Sequence, residues 1–167
     1  EKGMNHIDII RNKIFDADRL VHQLYRWRFL GKKIAFTNGC FDLLHLGHVD
    51  YLAKAADQAD YLVVGLNSDA STKRLKGSHR PINDQEQRSM ILASLHFVSA
   101  VILFEEDTPL ELIRLVRPDV LIKGADYQLE NIVGRELVAA EGGKVMTIEF
   151  LPGYSTTAIE ARIRGNG

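Results

Sequence analysis

Two histidines, His45 and His48, stand three positions apart with Gly47 between them, directly after a predicted strand. Residues three apart share one face at the start of a helix, and a glycine there lets a ligand approach the backbone closely. The free N–H groups and the positive end of a helix N-terminus attract anions. The spacing therefore predicts an anion site into which two imidazoles donate hydrogen bonds, an arrangement suited to a polyphosphate.

A histidine pair at this spacing also has simpler interpretations. One histidine capping the helix and the other hydrogen-bonded at the surface is the ordinary one for an isolated H-x-x-H. A metal pair is another, but no third ligand has an obvious place in the sequence. Neither G-x-x-x-x-G-K-[ST] nor G-x-G-x-x-G occurs, so the pattern indicates neither a P-loop NTPase nor a dinucleotide-binding enzyme.

A second concentration of positive charge follows the next predicted strand. Five cationic or potentially cationic residues fall within eight positions there: Lys73, Arg74, Lys76, His79 and Arg80. A solvated basic loop is the ordinary interpretation. A loop at the end of a strand is also able to fold over a triphosphate, and Gly77 and the polar composition predict that it is mobile before substrate binds.

Short apolar runs of strand length alternate along the chain with amphipathic segments of helix length. Strands are predicted at residues 33–37, 61–66, 98–104, 119–123 and 144–148. Helices are predicted at residues 16–30, 46–57, 84–95, 131–141 and 155–163, with a further one starting at Thr108 and Pro109. The alternation predicts a Rossmann-like α/β fold, a five-stranded parallel sheet with helices on both faces. Ligands bind such sheets at the carboxyl ends of the strands, where both clusters fall.

Length and composition limit the number of domains and the classes of protein to which the chain can belong. The 167 residues suit one domain. We expect residues 1–3 to be a remnant of an expression tag, residues 4–32 an N-terminal helical extension and residues 33–164 the domain itself. A net charge of −1 gives no sign of a nucleic-acid partner or an anionic membrane, and no apolar run approaches the ~20 residues that span a bilayer. The single Cys40 excludes an internal disulfide and a cysteine-rich zinc site, which favours a cytoplasmic protein.

The motifs are similar to those of a known group of enzymes. The pattern G-x-F-D-x-x-H-x-G-H at residues 39–48 resembles the cytidylyltransferase-like nucleotidyltransferase superfamily. Further likeness lies at residues 67–77, 80–83, 86–88, 104–109, 123–127 and 155–159. The stretch 67–77, together with F-E-E-D-T-P and K-G-A-D-Y, resembles the branch of sugar-phosphate adenylyltransferases that acts in ADP-heptose synthesis. The likeness covers about residues 33–164.

The resemblance implies adenylyl transfer from ATP to D-glycero-β-D-manno-heptose 1-phosphate, giving ADP-heptose and pyrophosphate by in-line attack on the α-phosphorus. It assigns catalysis to His45, His48, Lys73 and Lys76. It assigns nucleotide and phosphate binding to a larger set, Asn38, Gly39, Phe41, Gly47, Arg74, Arg88, Lys123, Gly124, Asp126, Ser155, Thr156 and Thr157. It places Asp42, Asn67 and Asp69 near the sugar phosphate.

Other roles stay open for several of these residues. Arg88 fits a helix-surface ion pair, Asp42 fits an ordering of its own loop, and the hydroxyls that begin the last helix fit a cap. Mg²⁺ is expected with ATP because free ATP carries too much charge for attack by another phosphate. No dense set of carboxylates indicates dedicated metal ligands.

Partners are expected among small molecules and other enzymes. Family members are often fused to a sugar kinase, and this sequence shows no kinase region. The resemblance therefore implies a stand-alone adenylyltransferase with a separate sugar kinase acting upstream. Trp27, Phe29 and Leu30 of the first predicted helix fit a homodimer interface as readily as the core.

Two alternative functions remain open. A CTP-dependent cytidylyltransferase acting on a polyol phosphate such as glycerol 3-phosphate shares the H-x-G-H and S-T-T elements, and base choice depends on the turn near Gly153 and Tyr154. A non-catalytic nucleotide-binding module would keep the fold without turnover. Such modules usually lose a histidine or the basic cluster, and both are present here.

Overall fold

Six parallel strands form one sheet in the computed structural model, which describes Gly3 and residues 5–165. The strands are β1 (Ile14–Phe15), β2 (Ile34–Gly39), β3 (Tyr61–Asn67), β4 (Ala100–Phe104), β5 (Val120–Gly124) and β6 (Lys144–Ile148). Their order across the sheet is β1-β4-β3-β2-β5-β6. The five predicted strands and the α/β class are confirmed. Of the expected tag remnant, Glu1 and Lys2 lie outside the described residues.

The predicted count of five strands is wrong because the sheet has an additional edge strand. Ile14 and Phe15 pair with Val101 and Ile102 of β4. Two residues are too few to show the alternating pattern by which a strand is recognised in sequence. Through β1, and through Leu20 and Leu24, the predicted N-terminal extension joins the same sheet and the same core as the rest of the chain.

Eight α-helices lie in the described part of the chain: α1 (His6–Arg11), α2 (Ala17–Phe29), α3 (Leu46–Ala56), α4 (Asp69–Lys76), α5 (Gln85–Ser94), α6 (Leu110–Val116), α7 (Arg135–Ala140) and α8 (Thr156–Ile163). A 3₁₀ turn, Leu129–Asn131, precedes α7, which begins at Arg135 and not at the predicted Asn131. Side-chain caps fix several starts, since Asp16 and Asp84 accept backbone N–H groups of α2 and α5. Within the described residues, no helix is both long and apolar enough to cross a membrane.

Helices cover both faces of the sheet, and each face has its own core. Successive residues of a strand point to opposite faces. Accordingly, Ile34 and Phe36 of β2 pack on one face, with α2 and α6, while Ala35 packs on the other, with α3 and α5. Trp27 belongs to the first core, where it stacks on Tyr61 at 4.2 Å between ring centroids.

The chain reverses its direction of travel across the sheet at β2. From β2 it proceeds to β3 and β4 on one side, and after β4 it crosses to β5 and β6 on the other. Strand β2 therefore lies between β3 and β5, and the connections leaving β2 and β5 diverge to opposite faces of the sheet. A crevice opens at such a switch point, beyond the carboxyl ends of the strands.

Candidate active site

A cleft of about 820 Å³ occupies this switch point. Its walls come from the loop after β2, from α3 and α4, from the segments after β4 and β5, and from α8. Twelve of the residues that the sequence assigns to the site line it: Asn38, Gly39, Phe41, Asp42, His48, Asn67, Lys76, Lys123, Gly124, Asp126, Thr156 and Thr157. The other seven are not among the lining residues: His45, Gly47, Asp69, Lys73, Arg74, Arg88 and Ser155.

The two histidines form a stacked pair at the start of α3. Their ring centroids are 3.8 Å apart, and the His45 backbone N–H donates to His48 Nδ1 at 3.4 Å. A Cβ on Gly47 would lie 2.9 Å from the His45 ring and 3.2 Å from Tyr154 Cβ, so only glycine leaves this packing undisturbed. His48 faces the cleft with His45 directly behind it.

Both rings are neutral imidazoles at neutral pH. Burial, and secondarily the neighbouring His45, lowers the pKa of His48 to about 4, although a hydrogen bond with the Leu43 backbone partly opposes the shift. Burial also lowers the pKa of His45. At neutral pH the pair therefore acts through the dipoles of neutral rings rather than through full positive charges.

Two buried polar atoms in this region lack a partner. Across the described residues, three buried side-chain polar atoms have no hydrogen bond, and two of them are Asn38 Oδ1 and His45 Nδ1. Unsatisfied polar atoms are rare in folded proteins and call for a specific explanation. Asn38 Oδ1 lies at the end of β2 and His45 Nδ1 at the start of α3, where a water or a ligand can complete their hydrogen bonding.

The loop after β2 is held by Asp42. Its buried carboxylate accepts the backbone N–H groups of Ile82 and Asn83 at 2.8–2.9 Å and Arg80 Nη1 at 3.1 Å. Phe41 beside it adopts a left-handed backbone conformation (φ 45°), which is rare for a bulky residue. The carboxylate is thus engaged in ordering the loop, the alternative role that its position in the sequence left open.

Arg88 has a different position from the one expected of a phosphate ligand or a helix-surface ion pair. The residue is 1% exposed, and its guanidinium donates to the backbone carbonyls of Cys40, Asn67 and Asn83 and to the carboxylate of Asp69 at 2.7–2.9 Å. It joins the loop after β2, the end of β3 and the start of α5 from inside the protein. Asp69 and Asn67 are its acceptors, so the assignment of Asp69 to the sugar phosphate is not supported by the geometry.

Three residues of the basic cluster lie on a helix, where a loop is predicted, and His79 and Arg80 follow that helix. Residues 69–76 form α4, capped by Ser68, whose hydroxyl accepts the Ser71 N–H at 3.1 Å. Lys73, Arg74 and Lys76 occupy its last turn, where cations favour the negative end of the helix dipole. Lys76 lines the cleft, whereas Arg74 bonds Asp107 at 2.9 Å. The predicted loop is therefore wrong for residues 73–76.

Lys123 brings a second lysine to the cleft from the end of β5. Burial lowers its pKa to about 8, while Asp126 and then Cys40 oppose that shift. Its ammonium lies 5.1 Å from the Tyr127 ring centroid and forms no ion pair within the described chain. Gly124 next to it is required by packing, because a Cβ there would lie 2.2 Å from the Phe150 ring.

Aromatic side chains that the sequence analysis does not identify form one wall of the cleft. Tyr51 and Phe150 pack with ring centroids 5.2 Å apart, and Tyr127 lines the same cleft. The Tyr51 hydroxyl is hydrogen-bonded to Thr37 at 2.8 Å, and burial raises its pKa to about 12. The signal for Tyr51 was available, because it lies three residues after His48 on the same face of α3.

The N-terminus of α8 completes the cleft. Thr156 and Thr157 line it, while Ser155 Oγ is occupied as the helix cap, accepting the Ala158 N–H at 3.0 Å. Glu160 also lines the cleft and bonds Arg80 Nη2 at 2.5 Å. Sequence reasoning missed Glu160, because nothing local to it indicates a partner 80 positions away.

The arrangement is suited to binding an anion and stabilising charge on it. It offers imidazole and hydroxyl donors and two lysines. Among the residues described, no three His, Cys, Asp or Glu side chains are grouped so as to hold a metal ion. Cations and hydrogen-bond donors of this kind suit a transfer between two bound anions.

Comparisons with known proteins agree with this chemistry. Residues 36–162 match the family model described as Cytidylyltransferase-like. The chain is 53% identical over 152 residues to the bifunctional protein HldE of Citrifermentans bemidjiense, and 51% identical over 156 residues to that of Wolinella succinogenes. These alignments cover 91% and 93% of this chain but 31% and 32% of the relatives. The chain thus spans about a third of the length of these relatives.

Solved structures resemble it in fold. A lipopolysaccharide core biosynthesis protein from Thermoplasma volcanium is 31% identical with a TM-score of 0.58, over 72% of this chain and 98% of that one. A pantoate-beta-alanine ligase from Francisella tularensis, 18% identical, has a TM-score of 0.59 over 90% of this chain and 76% of that one, which shows the shared fold alone. With the family model covering most of the sheet and every wall of the cleft, the chain belongs to the Cytidylyltransferase-like family of nucleotidyltransferases.

Proposed function

We propose that this chain transfers the adenylyl group of ATP to D-glycero-β-D-manno-heptose 1-phosphate, releasing pyrophosphate. The observation that carries the proposal is the stacked His45–His48 pair at the start of α3, beside two lysines of the cleft. The sugar is supported by the motifs at residues 67–77 and 123–127 and by the HldE relatives at 51–53% identity.

The reaction joins two anions. An oxygen of the sugar phosphate attacks the α-phosphorus of ATP, a new P–O bond forms, and the bond to the β-phosphate breaks with its electrons leaving on pyrophosphate. The attacking oxygen is already anionic, so no general base is required. The protein's contribution is to align the two substrates and to stabilise the charge that builds on the transferring and leaving phosphates.

Each wall of the cleft has a role either in binding the substrates or in stabilising that charge. The imidazole N–H of His48, backed by His45, donates to the α- and β-phosphates. Lys76 and Lys123 approach the triphosphate from α4 and β5, and a bound phosphate raises the pKa of Lys123 back towards that of an ordinary ammonium. Thr156 and Thr157 add hydroxyl donors from α8, and the aromatic wall at Tyr51 excludes water from the nucleotide.

Mg²⁺ enters as part of the MgATP substrate. Magnesium usually binds through one or two carboxylates, substrate phosphates and waters rather than an all-protein cage. Asp126, exposed at the cleft and without a hydrogen-bond partner in the described chain, is the carboxylate that fits such a contact. The ion supplies charge neutralisation of the phosphates.

Partners and location follow as further proposals. A sugar kinase supplies the 1-phosphate, and a reaction that consumes ATP, together with the free Cys40, supports a cytoplasmic location. A homodimer is supported by the exposed apolar residues of α2, since Phe29 is 80% and Leu30 66% exposed whereas Trp27 is in the core. Light scattering of wild type and of Phe29→Ser tests it, because only a dimer through this helix loses mass in the variant.

A pyrophosphate-release panel tests the activity directly. ATP and CTP are each combined with heptose 1-phosphate, hexose 1-phosphates and glycerol 3-phosphate, using wild type, His45→Ala and His48→Ala. We expect release with ATP and heptose 1-phosphate, and a loss of roughly 10²–10³ in kcat for each variant. Release with CTP and glycerol 3-phosphate alone would favour the cytidylyltransferase, and nucleotide binding without any release would favour a non-catalytic module.

A further inference from the structure

Helix α8 brings two hydroxyls to the cleft without a buried face of its own. None of its residues is fully buried, although Thr156 and Thr157 in its first turn line the cleft. Its N-terminal cap, in which Ser155 Oγ accepts the Ala158 N–H, does not connect it to another part of the protein. Packing of large apolar side chains, which fixes the position of most helices, therefore contributes little here.

One side-chain ion pair connects this helix to the opposite wall. Glu160 accepts Arg80 Nη2 at 2.5 Å, and Arg80 Nη1 reaches Asp42 at 3.1 Å. The side chains of Arg80, Glu160 and Asp42 are 12%, 19% and 6% exposed, so solvent screens the network weakly. In the described chain, no other side-chain hydrogen bond connects α8 to a different helix or strand.

A carboxylate in a cleft for a triphosphate has an electrostatic cost. Glu160 lines the same cleft as Lys76 and Lys123, and its negative charge opposes the approach of an anion. If charge alone decided its effect, removing the carboxylate would strengthen nucleotide binding. If its bond to Arg80 decided the effect, the same change would weaken binding, because α8 and its hydroxyls would lose their fixed position. The two effects have opposite signs.

We propose that Glu160 is a positioning residue: through Arg80 and Asp42 it fixes α8 against the loop after β2, and so places Thr156 and Thr157 on the nucleotide phosphates. The inference rests on the proposed function for the identity of the ligand, but the geometry of the connection does not depend on it. Arg80 then acts on the cleft indirectly, because it is the cation that bonds both the Asp42 and the Glu160 carboxylates.

Glu160→Gln is the decisive variant because it removes the charge and keeps the size. Loss of a charge-assisted hydrogen bond should raise KM for MgATP roughly ten-fold. We expect kcat and KM for the sugar phosphate to stay within about two-fold, since those hydroxyls hold the nucleotide in ground and transition states alike. Amide hydrogen exchange without ligand should be faster in residues 156–163 of the variant and unchanged in α3 and α5.

Arg164→Gln is the matched control. Arg164 bonds the same Glu160 at 2.8 Å from an exposed position (64%), and its side chain forms no other hydrogen bond or ion pair in the described residues, so its loss should change neither KM nor exchange. A KM for MgATP that is unchanged or lower in Glu160→Gln, or unaltered exchange of residues 156–163, would overturn the inference. Absence of adenylyl transfer in the wild type would instead count against the proposed function, and the exchange comparison would still decide the role of Glu160.

Discussion

Arg88 offers a sharp test, because its sequence context and its structure assign it opposite roles. Its motif resembles a phosphate-binding position, whereas its guanidinium is 1% exposed and bonds three carbonyls and one carboxylate. Replacing it with methionine, which has a similar length, keeps the volume and removes every donor. If Arg88 binds phosphate, the protein would lose affinity for the nucleotide on this change. If Arg88 connects segments inside the protein, the protein would lose stability.

The magnitude follows from the acceptors left behind. The Cys40 and Asn83 carbonyls would lose the guanidinium with no replacement, while the Asn67 carbonyl keeps a long bond of 3.5 Å from Thr72. Asp69 is partly exposed and can be hydrated. At about 1–3 kcal/mol for each of the two partly buried carbonyls of Cys40 and Asn83, Arg88→Met should lower the free energy of unfolding by about 2–6 kcal/mol. For a chain of this length that corresponds to a fall in Tm of roughly 4–24 °C.

Urea and thermal unfolding measure this loss, and Arg74→Met is the matched control. Arg74 is also a predicted phosphate ligand, but its ion pair with Asp107 is half-exposed or more on both sides, so its loss should cost less than about 1 kcal/mol. The reasoning would be refuted if Arg88→Met kept its stability within about 1 kcal/mol and lost affinity for ATP.

Three further outcomes are expected. Gly47→Ala should fold normally but lose kcat by an order of magnitude or more, because the new Cβ displaces the His45 ring 2.9 Å away; unchanged pyrophosphate release would contradict this. The pKa of His48 is lowered to about 4, so between about pH 6.5 and 5 the unfolded chain binds a proton that the folded chain does not. The free energy of unfolding of the wild type should therefore fall by about 2 kcal/mol over this range, whereas that of His48→Gln should not, and parallel urea titrations measure the difference. Since the pKa of Lys123 is about 8, KM for ATP should rise above that pH in wild type and stay flat in Lys123→Arg; identical profiles would argue against a phosphate contact.

The sheet was predictable because its signals are local. Near-continuous apolar runs such as β3 are typical of parallel strands covered on both faces, and the alternation with amphipathic segments gives the layer order. Helix α4 was missed because Ala70 and Leu75 are its only apolar residues, although Ser68 at its start, Asp69 in its first turn and lysines in its last are the signature of a capped helix. Strand β1 is recognisable only through its pairing with β4.

In the candidate site, too, residues in a contiguous motif were predictable and residues with distant partners were not. The H-x-G-H motif is a contiguous pattern, and the structure stacks its two histidines at the start of α3, next to the cleft. The roles of Arg80, Arg88 and Asp42 depend on partners 38 to 80 positions away. Sequence spacing contains no information about such pairs, so a buried connector and a phosphate ligand look alike until the fold is known.

The arginines and the lysines around the cleft differ in whether their charges are paired within the protein. Arg74, Arg80 and Arg88 each donate to a carboxylate, and the planar guanidinium, with five donors, suits a residue that joins several loops. Lys76 and Lys123 form no ion pair in the described residues, and the lysine ammonium is a compact charge on a flexible stem. Neutralising either lysine should therefore raise KM for ATP at nearly constant Tm, and neutralising Arg80 or Arg88 should lower Tm as well. The local excess of positive charge that a triphosphate meets comes from the lysines, because the charges of the arginines are already balanced within the protein.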